Sequence, residues 1–410
     1  MSELSVIDSC LACGKLELQL ALDLGTQAPA NNLTLPGEIE IGEYPLALMY
    51  CSSCGHGQLS HAVNPSLLFD TYLYKSGTSG TLINYFEWFT NEVAGLLAGS
   101  RSVLEIGAND GSLLRLFNRA GFDAIGVDPA TNIANECAGD ATVICDYFPT
   151  SKLSGRQFEL IVGLNVLAHT PDPLRLLQGA KDVLAPNGVC IFQTSQALML
   201  ESGDFDTIYH EHFSFFTLLS MKVLAQRAGL RLRQAVLTNI HGVSLVGLLT
   251  HPTGPEVGQI FNTEPFALDS KLLNDMQDAW ESKSITDIYT KFARKAKDRM
   301  MDVVRIVEDR RALGHQVVLV GAAAKAITFA RAAGLRPDLV VDEAPDKIGR
   351  VIPGLGLEIQ SLESIKNLDG QILFVIAAWN FASELERKVR LAAGSSPKEF
   401  LVYFPELRTW

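Results

Sequence analysis

From Ser102 onward the chain alternates short apolar runs with amphipathic stretches of helical period, an order that restricts this region to an α/β architecture on a parallel sheet. Val103-Leu-Glu-Ile-Gly107 reads as a buried strand entering the turn Gly107-Ala-Asn109-Asp-Gly111. Ser112–Arg119 then carries Leu113, Leu114, Leu116 and Phe117 at helical spacing, and Ala124–Val127 is a second strand ending in Asp128. Ligands of such sheets lie over the carboxyl ends of the strands, where small residues admit a cofactor to the backbone and an acid can accept from both ribose hydroxyls. A dinucleotide would require GxGxxG with its pyrophosphate on the helix N-terminus. Here Glu105 precedes the first glycine, and an acid suits a cationic ligand such as S-adenosylmethionine, whose amino-acid moiety carries an ammonium group. The cofactor set predicted from this order is Glu105, Gly107, Asn109, Gly111 and Asp128. Asp146, closing a third strand, is placed to meet the adenine amino group. The fourth strand, Phe158–Gly163, runs into Asn165, also assigned to the cofactor, and Val189–Gln193 is the fifth.

At 410 residues the chain exceeds one hydrophobic core, so two or three domains are expected. A formal net charge of −12 argues against nucleic acid or an anionic membrane as the main partner. The N-terminus shows no basic region followed by an apolar run, and the reading is a cytoplasmic protein. Of seven cysteines, four form two CxxC pairs, Cys10/Cys13 and Cys51/Cys54, each followed by glycine. Paired thiolates at this spacing reach one tetrahedral ion, so a structural zinc site is predicted, with four buried reduced cysteines as the alternative. Four sulfurs fill the shell, which leaves His56 and His61 as bystanders.

After the fifth strand, Tyr209-His210-Glu211-His212-Phe213 concentrates titratable groups beside apolar ones. The two histidines lie too close in sequence to share a helix face, so metal binding is the lesser reading and a network of core polar groups the plain one. Tyr72-Leu-Tyr74-Lys-Ser76-Gly-Thr-Ser79 has the composition of a loop that covers a ligand. Ile285 to roughly Leu313 reads as a long amphipathic helix. Beyond it, Gln316–Val320, Ala324–Ala333 and Asp338–Val341 form a second βαβ unit ending in Asp342, without GxGxxG. Lys325, Lys347 and Arg350 are its candidate phosphate partners, unless they form a solvated basic face.

The CxxC pairs, Glu105–Gly111, Asn165–His169 and Tyr209-His-Glu-His-Phe-Ser together resemble the zinc-containing sugar C-methyltransferases of deoxysugar biosynthesis, which act on nucleotide-linked 4-keto sugars. Gly321-Ala-Ala-Ala-Lys325, Asp346-Lys347-x-Gly349-Arg350 and Ala378-Trp379-Asn380 extend the likeness to the C-terminal part. The resemblance implies a zinc module over residues 1–70, a class I, Rossmann-like S-adenosylmethionine methyltransferase domain over 71–250 and a second Rossmann-like domain that binds the nucleotide sugar over 251–410. It implies His212 as general base, with Tyr209, Glu211, Tyr74 and His169 around the substrate. Ser76, Ser79, His241, Trp379 and Asn380 are the implied substrate contacts. The partner is a small molecule, and the state a monomer or small homo-oligomer. Methylation of oxygen or nitrogen, or a nucleotide-binding scaffold without turnover, remain the rival functions. Two departures bear on substrate: His241-Gly-Val243-Ser-Leu-Val246 stands where the family usually reads His-Gly-Gly-Ser-Leu-Arg, and Phe215 stands where Tyr is common.

Overall fold

An apolar strand with no polar alternation must be covered on both faces, and β1 (Ser102–Ile106) is buried along all but its first residue. The computed structural model describes residues 3–38, 42–72, 74–96, 101–134, 137, 141–394 and 398–410, the side chains of Ala134, Ala279 and Asn380 excepted. Two units interleave along the chain. Met1–Gln19, Met49–Leu198 and Glu211–Thr286 make the first; Leu20–Leu48, Met199–His210 and Asp287–Trp410 make the second. Among the described residues no helix is long and apolar enough to cross a membrane.

In the first unit β1 is joined by β2 (Asp123–Asp128), β3 (Thr142–Cys145), β4 (Phe158–Leu164), β5 (Leu184–Thr194), β6 (Arg231–Thr238) and β7 (Ser244–Thr250). The spatial order is β6-β7-β5-β4-β1-β2-β3, with β7 antiparallel to both of its neighbours and β1 to β5 mutually parallel. Chain order reverses between β1 and β4, which opens a ligand crevice at the carboxyl ends of those strands. Helix α1 (Gly80–Ala94) buries Tyr85, Phe86, Trp88, Phe89 and Val93 on one side of the sheet, and α2 (Ser112–Arg119) adds Leu113, Leu114 and Phe117 to the same core. The core on the other side contains Leu104, Phe158, Phe192 and Leu224 and continues into Cys10, Cys51 and Cys54, so the cysteine knuckles share the core of the parallel sheet.

In the second unit, β8 (Gln316–Val320), β9 (Leu339–Asp342), β10 (Val351–Ile352), β11 (Leu357–Ser361), β12 (Ile372–Ile376), β13 (Lys398–Val402) and β14 (Arg408–Thr409) form a sheet in the order β10-β11-β9-β8-β12-β13-β14. The five inner strands are parallel and the two edges antiparallel. Helix α3 (Ile285–Ala312) buries Tyr289, Phe292, Ala296, Val303 and Val307, the three-and-four spacing of an amphipathic stripe. Helix α4 (Ala324–Ala333) follows β8 directly.

One close approach shapes the crevice. A Cβ at Gly126 on β2 would lie 2.4 Å from Ala108 Cβ in the turn after β1 and 2.8 Å from Leu114. Gly126→Ala should therefore overpack this contact and destabilise the protein by about 1–3 kcal/mol. Thermal denaturation checks it; a melting temperature equal to that of the native chain would count against the packing described.

Candidate active site and metal centre

Each CxxC pair is a tight turn closed by a backbone hydrogen bond, from Gly14 N to Cys10 O at 2.7 Å and from Gly55 N to Cys51 O at 2.9 Å. The turns bring Cys10 Sγ to 3.6 Å from Cys54 Sγ and Cys13 Sγ to 3.5 Å from Cys51 Sγ. All four sulfurs lie within 4.8 Å of one another. A tetrahedral ion with sulfurs at about 2.3 Å needs its ligands about 3.8 Å apart, so the four thiols fit zinc and leave no open position. Neither His56 nor His61 joins this group. His56 is fully buried, its Nε2 lies 3.2 Å from Ser214 Oγ and its ring packs 4.7 Å from that of Phe216, and burial holds it neutral with a pKa of about 3.

The turn Gly107–Gly111 is built around Asp128. Its two oxygens accept from Asn109 N at 2.8 Å and Ala130 N at 2.9 Å. Burial pushes the Asp128 carboxyl up, and those two amides pull it back. Glu105, buried on β1, is pushed well above the ordinary carboxylate range by burial and then by the neighbouring Asp128 and Asp110, and its Oε2 has no hydrogen-bond partner among the described residues. Three acids converging on a crevice with an orphaned buried oxygen fit a cationic ligand, as S-adenosylmethionine is. Asp146 spends its oxygens on Thr150 Oγ1 at 2.7 Å, Lys152 at 3.2 Å and the Tyr147 amide at 2.9 Å, and the first two hold its pKa low.

Residues 70–72 and 74–79 form a strap beside the Gly107–Gly111 turn, tied by side chains that bond its backbone. Asn109 Nδ2 donates to Tyr74 O at 3.0 Å while its Oδ1 accepts from Ser76 N at 2.9 Å. Asn132 does the same for Tyr72, accepting from its N at 3.0 Å and donating to its O at 2.8 Å. Asp110 accepts from Gly77 N at 2.7 Å, and Ser79 caps α1 through Leu82 N at 3.3 Å. Tyr74 stays 45% exposed. Tyr72, which the sequence offered only as part of this loop, packs its ring 5.8 Å from that of Phe69 and 6.4 Å from that of Tyr74, and burial raises its pKa. The two tyrosines Tyr72 and Tyr74, spaced two apart, were the available signal.

His212 is buried, its ring centroid 4.8 Å from that of His169 and 6.2 Å from Phe215, with Gln196 Nε2 3.4 Å from its Nδ1. Burial lowers His169 to a pKa of about 4, which keeps it neutral at working pH. Backbone pairing fixes the stretch after His212. Ser214 and Phe215 pair antiparallel with Gln58 and Gly57, Leu59 N donates to Phe213 O at 3.0 Å, and Phe213 N donates to Ala168 O at 2.8 Å. The boundary between the units falls between His210 and Glu211. His210 is buried in the second unit with Nε2 3.2 Å from Tyr44 O, and burial takes its pKa down to about 4: it is a core histidine. Tyr209 is half-buried in the same segment. His241, Gly242 and Val243 have φ of +51°, +76° and +77°, and Val246 is buried on β7.

In the second unit the N-terminus of α4 has no side-chain cap, and Lys325 in its first turn lies 4.5 Å from the Trp379 ring. Trp379 Nε1 donates to Asp206 Oδ2 at 2.8 Å. Asp206 is fully buried, which raises its pKa to about 7 against the pull of Lys325. Lys347 bonds Ala322 O at 3.1 Å and lies 3.5 Å from Asp342; Arg350 bonds Asp346 O at 2.7 Å and Leu33 O at 3.2 Å. The Asn380 side chain lies outside the described residues.

Two measurements test this geometry. Metal analysis should find one zinc per chain, and stripping it should lower the melting temperature, because the knuckles belong to the core; an unchanged melting curve would show that the sulfurs need no ion. Asp128→Ala should weaken S-adenosylmethionine binding at least about tenfold, since charge-assisted hydrogen bonds contribute about 1.5–3 kcal/mol each. Calorimetry reads it, and native affinity would place the cofactor elsewhere.

Three family descriptions match in succession: a zinc binding domain over residues 10–69, a methyltransferase domain over 83–235 and a C-methyltransferase C-terminal domain over 270–405. The chain is 28% identical to the C-methyltransferase NovU of Streptomyces niveus, across 98% of its own length and 96% of that protein's. It is 29% identical to a ubiquinone biosynthesis O-methyltransferase of Actinobacillus pleuropneumoniae, but over only 23% of this chain and 45% of the other. Among solved structures, the CcbJ methyltransferase of Streptomyces caelestis is similar at 14% identity over 40% of this chain and 89% of that one, with a TM-score of 0.34. With a four-cysteine zinc site and a cofactor crevice on a methyltransferase sheet, the chain belongs to the zinc-containing, S-adenosylmethionine-dependent C-methyltransferases.

Proposed function

We propose that the acceptor is a nucleotide-linked 4-keto deoxysugar, methylated at the carbon beside its ketone after His212 removes a proton from that carbon. The observation that carries this reading is the run of ring contacts from the strap to the base: Tyr72 lies 5.8 Å from Phe69, Phe69 5.7 Å from His169 and His169 4.8 Å from His212. The strap that Asn109 ties to the cofactor turn thereby reaches the base, with the Tyr72 hydroxyl as a donor. A carbon nucleophile needs a base within hydrogen-bond reach and donors on the developing enolate oxygen, and a tyrosine held protonated by burial is such a donor. Tyr74, more exposed on the same strap, is the second. Neutral His169 packed against His212 leaves that ring free of a neighbouring positive charge when it takes up the proton. When bound, S-adenosylmethionine supplies an electrophilic methyl group on a sulfonium. Zinc has no open position and serves the fold.

The second unit supports a nucleotide handle. Ligands of an open parallel sheet lie where chain order reverses, here between β8 and β12, beside the uncapped N-terminus of α4. Of the three predicted cations, Lys347 and Arg350 are spent on backbone carbonyls, which leaves Lys325 as the phosphate partner and the Trp379 ring beside it as an apolar platform.

The test uses labelled S-adenosylmethionine with a panel of nucleotide-linked 4-keto deoxysugars, for the native protein and for His212→Ala and His212→Asn. Methylation and solvent deuterium exchange at the carbon beside the ketone should both fall by roughly 10² to 10⁴, with cofactor affinity unchanged. Exchange at the native rate in either variant would assign proton removal to another residue, and no turnover of any panel member by the native protein would overturn the substrate class.

A further inference from the structure

Asn165 stands at the carboxyl end of β4 with φ +64°, a left-handed conformation that asparagine tolerates better than most residues. It is held at two points by the neighbouring strand. Its backbone N donates to Gln193 O at 2.9 Å, and Gln193 Nε2 donates to its Oδ1 at 3.3 Å. Gln193, fully buried on β5, accepts at Oε1 from the hydroxyl of Tyr85, which is itself fully buried on α1. Behind Tyr85, 3.4 Å from its oxygen, lies the hydroxyl of Thr238 on β6, also fully buried.

Counting protons fixes the direction. Leaving the one proton of a buried hydroxyl without an acceptor is costly, which favours the arrangement in which each proton has one. Among the described residues Thr238 Oγ1 meets only Tyr85 Oη, so Thr238 donates to Tyr85. Tyr85 in turn has its single proton for Gln193 Oε1, which turns Gln193 Nε2 toward Asn165 and leaves Asn165 Nδ2 as the outward branch. No described residue accepts from Asn165 Nδ2, and Asn165 is half-buried at the strand end over which the ligand lies.

We infer that Thr238, Tyr85 and Gln193 form a one-way hydrogen-bond relay that presents the Asn165 NH2 group, and never its carbonyl, to the crevice. Gln193 and Tyr85 are positioning residues, and Asn165 Nδ2 is a donor for an oxygen carrying negative charge. Two oxygens have that chemistry, the cofactor carboxylate and the enolate oxygen of the acceptor; only the second rests on the substrate reading above.

Gln193→Glu tests the direction without changing shape. A carboxyl buried there has a raised pKa; while protonated it donates to Asn165 as Gln193 does, and once ionised it can only accept. Asn165 must then invert. With S-adenosylmethionine bound, the ¹⁵N side-chain amide resonances of Asn165 should move through one midpoint as pH rises in the variant and stay still in the native protein. If the oxygen belongs to the cofactor, affinity for S-adenosylmethionine falls through the same midpoint. If it belongs to the acceptor, affinity holds while methylation falls by about 10²–10³ on the alkaline side, the usual loss for one donor of this kind. Tyr85→Phe, which introduces no charge, should split the Asn165 and Gln193 amide signals into two orientations. Asn165 resonances that ignore pH in Gln193→Glu, or that remain single in Tyr85→Phe, would overturn the relay. The amide spectra need no acceptor substrate, so they report on the relay even where no keto sugar is turned over.

Discussion

The antiparallel pairing of Gly57 and Gln58 with Phe215 and Ser214 decides where the proposed base sits. The loop residues on either side of His212 would otherwise have wide conformational freedom, at roughly 1–2 kcal/mol of backbone entropy per residue fixed. The strand that supplies the pairing leaves the second knuckle directly, since Cys54 is followed by Gly55, His56 and Gly57. Gln58 then reaches back to the first knuckle, accepting from Leu11 N at 2.8 Å and donating to Ser9 O at 3.1 Å. A metal that holds the two knuckles together thereby holds the strand on which the His212 segment is laid, and a structural ion acts on chemistry through backbone register alone.

Both units solve the same local problem in the same way. After the first parallel strand the chain must turn sharply, and the amides of that turn need acceptors. In the first unit Asp128 accepts from Asn109 and Ala130; in the second Asp342 accepts from Ala322 at 2.7 Å and Ala344 at 2.8 Å. Gly107 N donates to Val127 O and Gly321 N to Val341 O, each at 2.8 Å. The difference lies in the surroundings. Asp128 has two further acids nearby and suits a cation, whereas Asp342 has Lys347 beside it and Lys325 on the following helix. The same backbone device thus sits among acids in one unit and beside lysines in the other.

These local solutions were legible in the sequence because each is short. A strand, a small-residue turn, a helix and an acid within some two dozen positions are fixed by periodicity and turn chemistry, and the boundaries of β1, α2, β2, β8 and α4 fall close to those expected. The CxxC pairs are legible for the same reason. Gln193 was not, since a glutamine closing an apolar strand looks ordinary until Tyr85 and Asn165, far off in the chain, meet its two ends. Asp206, three residues ahead of the titratable run, was not legible either; its burial against Trp379 depends on contacts the sequence does not announce. Nor did spacing reveal that His210 turns to a backbone carbonyl while His212 packs on His169, because neighbouring residues with no regular structure carry no facing rule.

Val243 meets the same limit at a single position. The sequence registers a valine where the family usually has glycine, and the structure keeps the backbone that glycine would choose, at φ +77° between Gly242 and β7. A β-branched side chain in that region is strained by about 1–2 kcal/mol. The chain accepts that strain where Val243 O receives a hydrogen bond from Ala197 N at 3.1 Å, next to Gln196, which faces His212. Moving Val243 to an unstrained conformation would break this link to the loop after β5. Strain held beside a proposed base, in a stretch that ends on the buried Val246, marks His241–Val246 as a segment whose conformation is set by its link to the loop after β5 rather than by local preference.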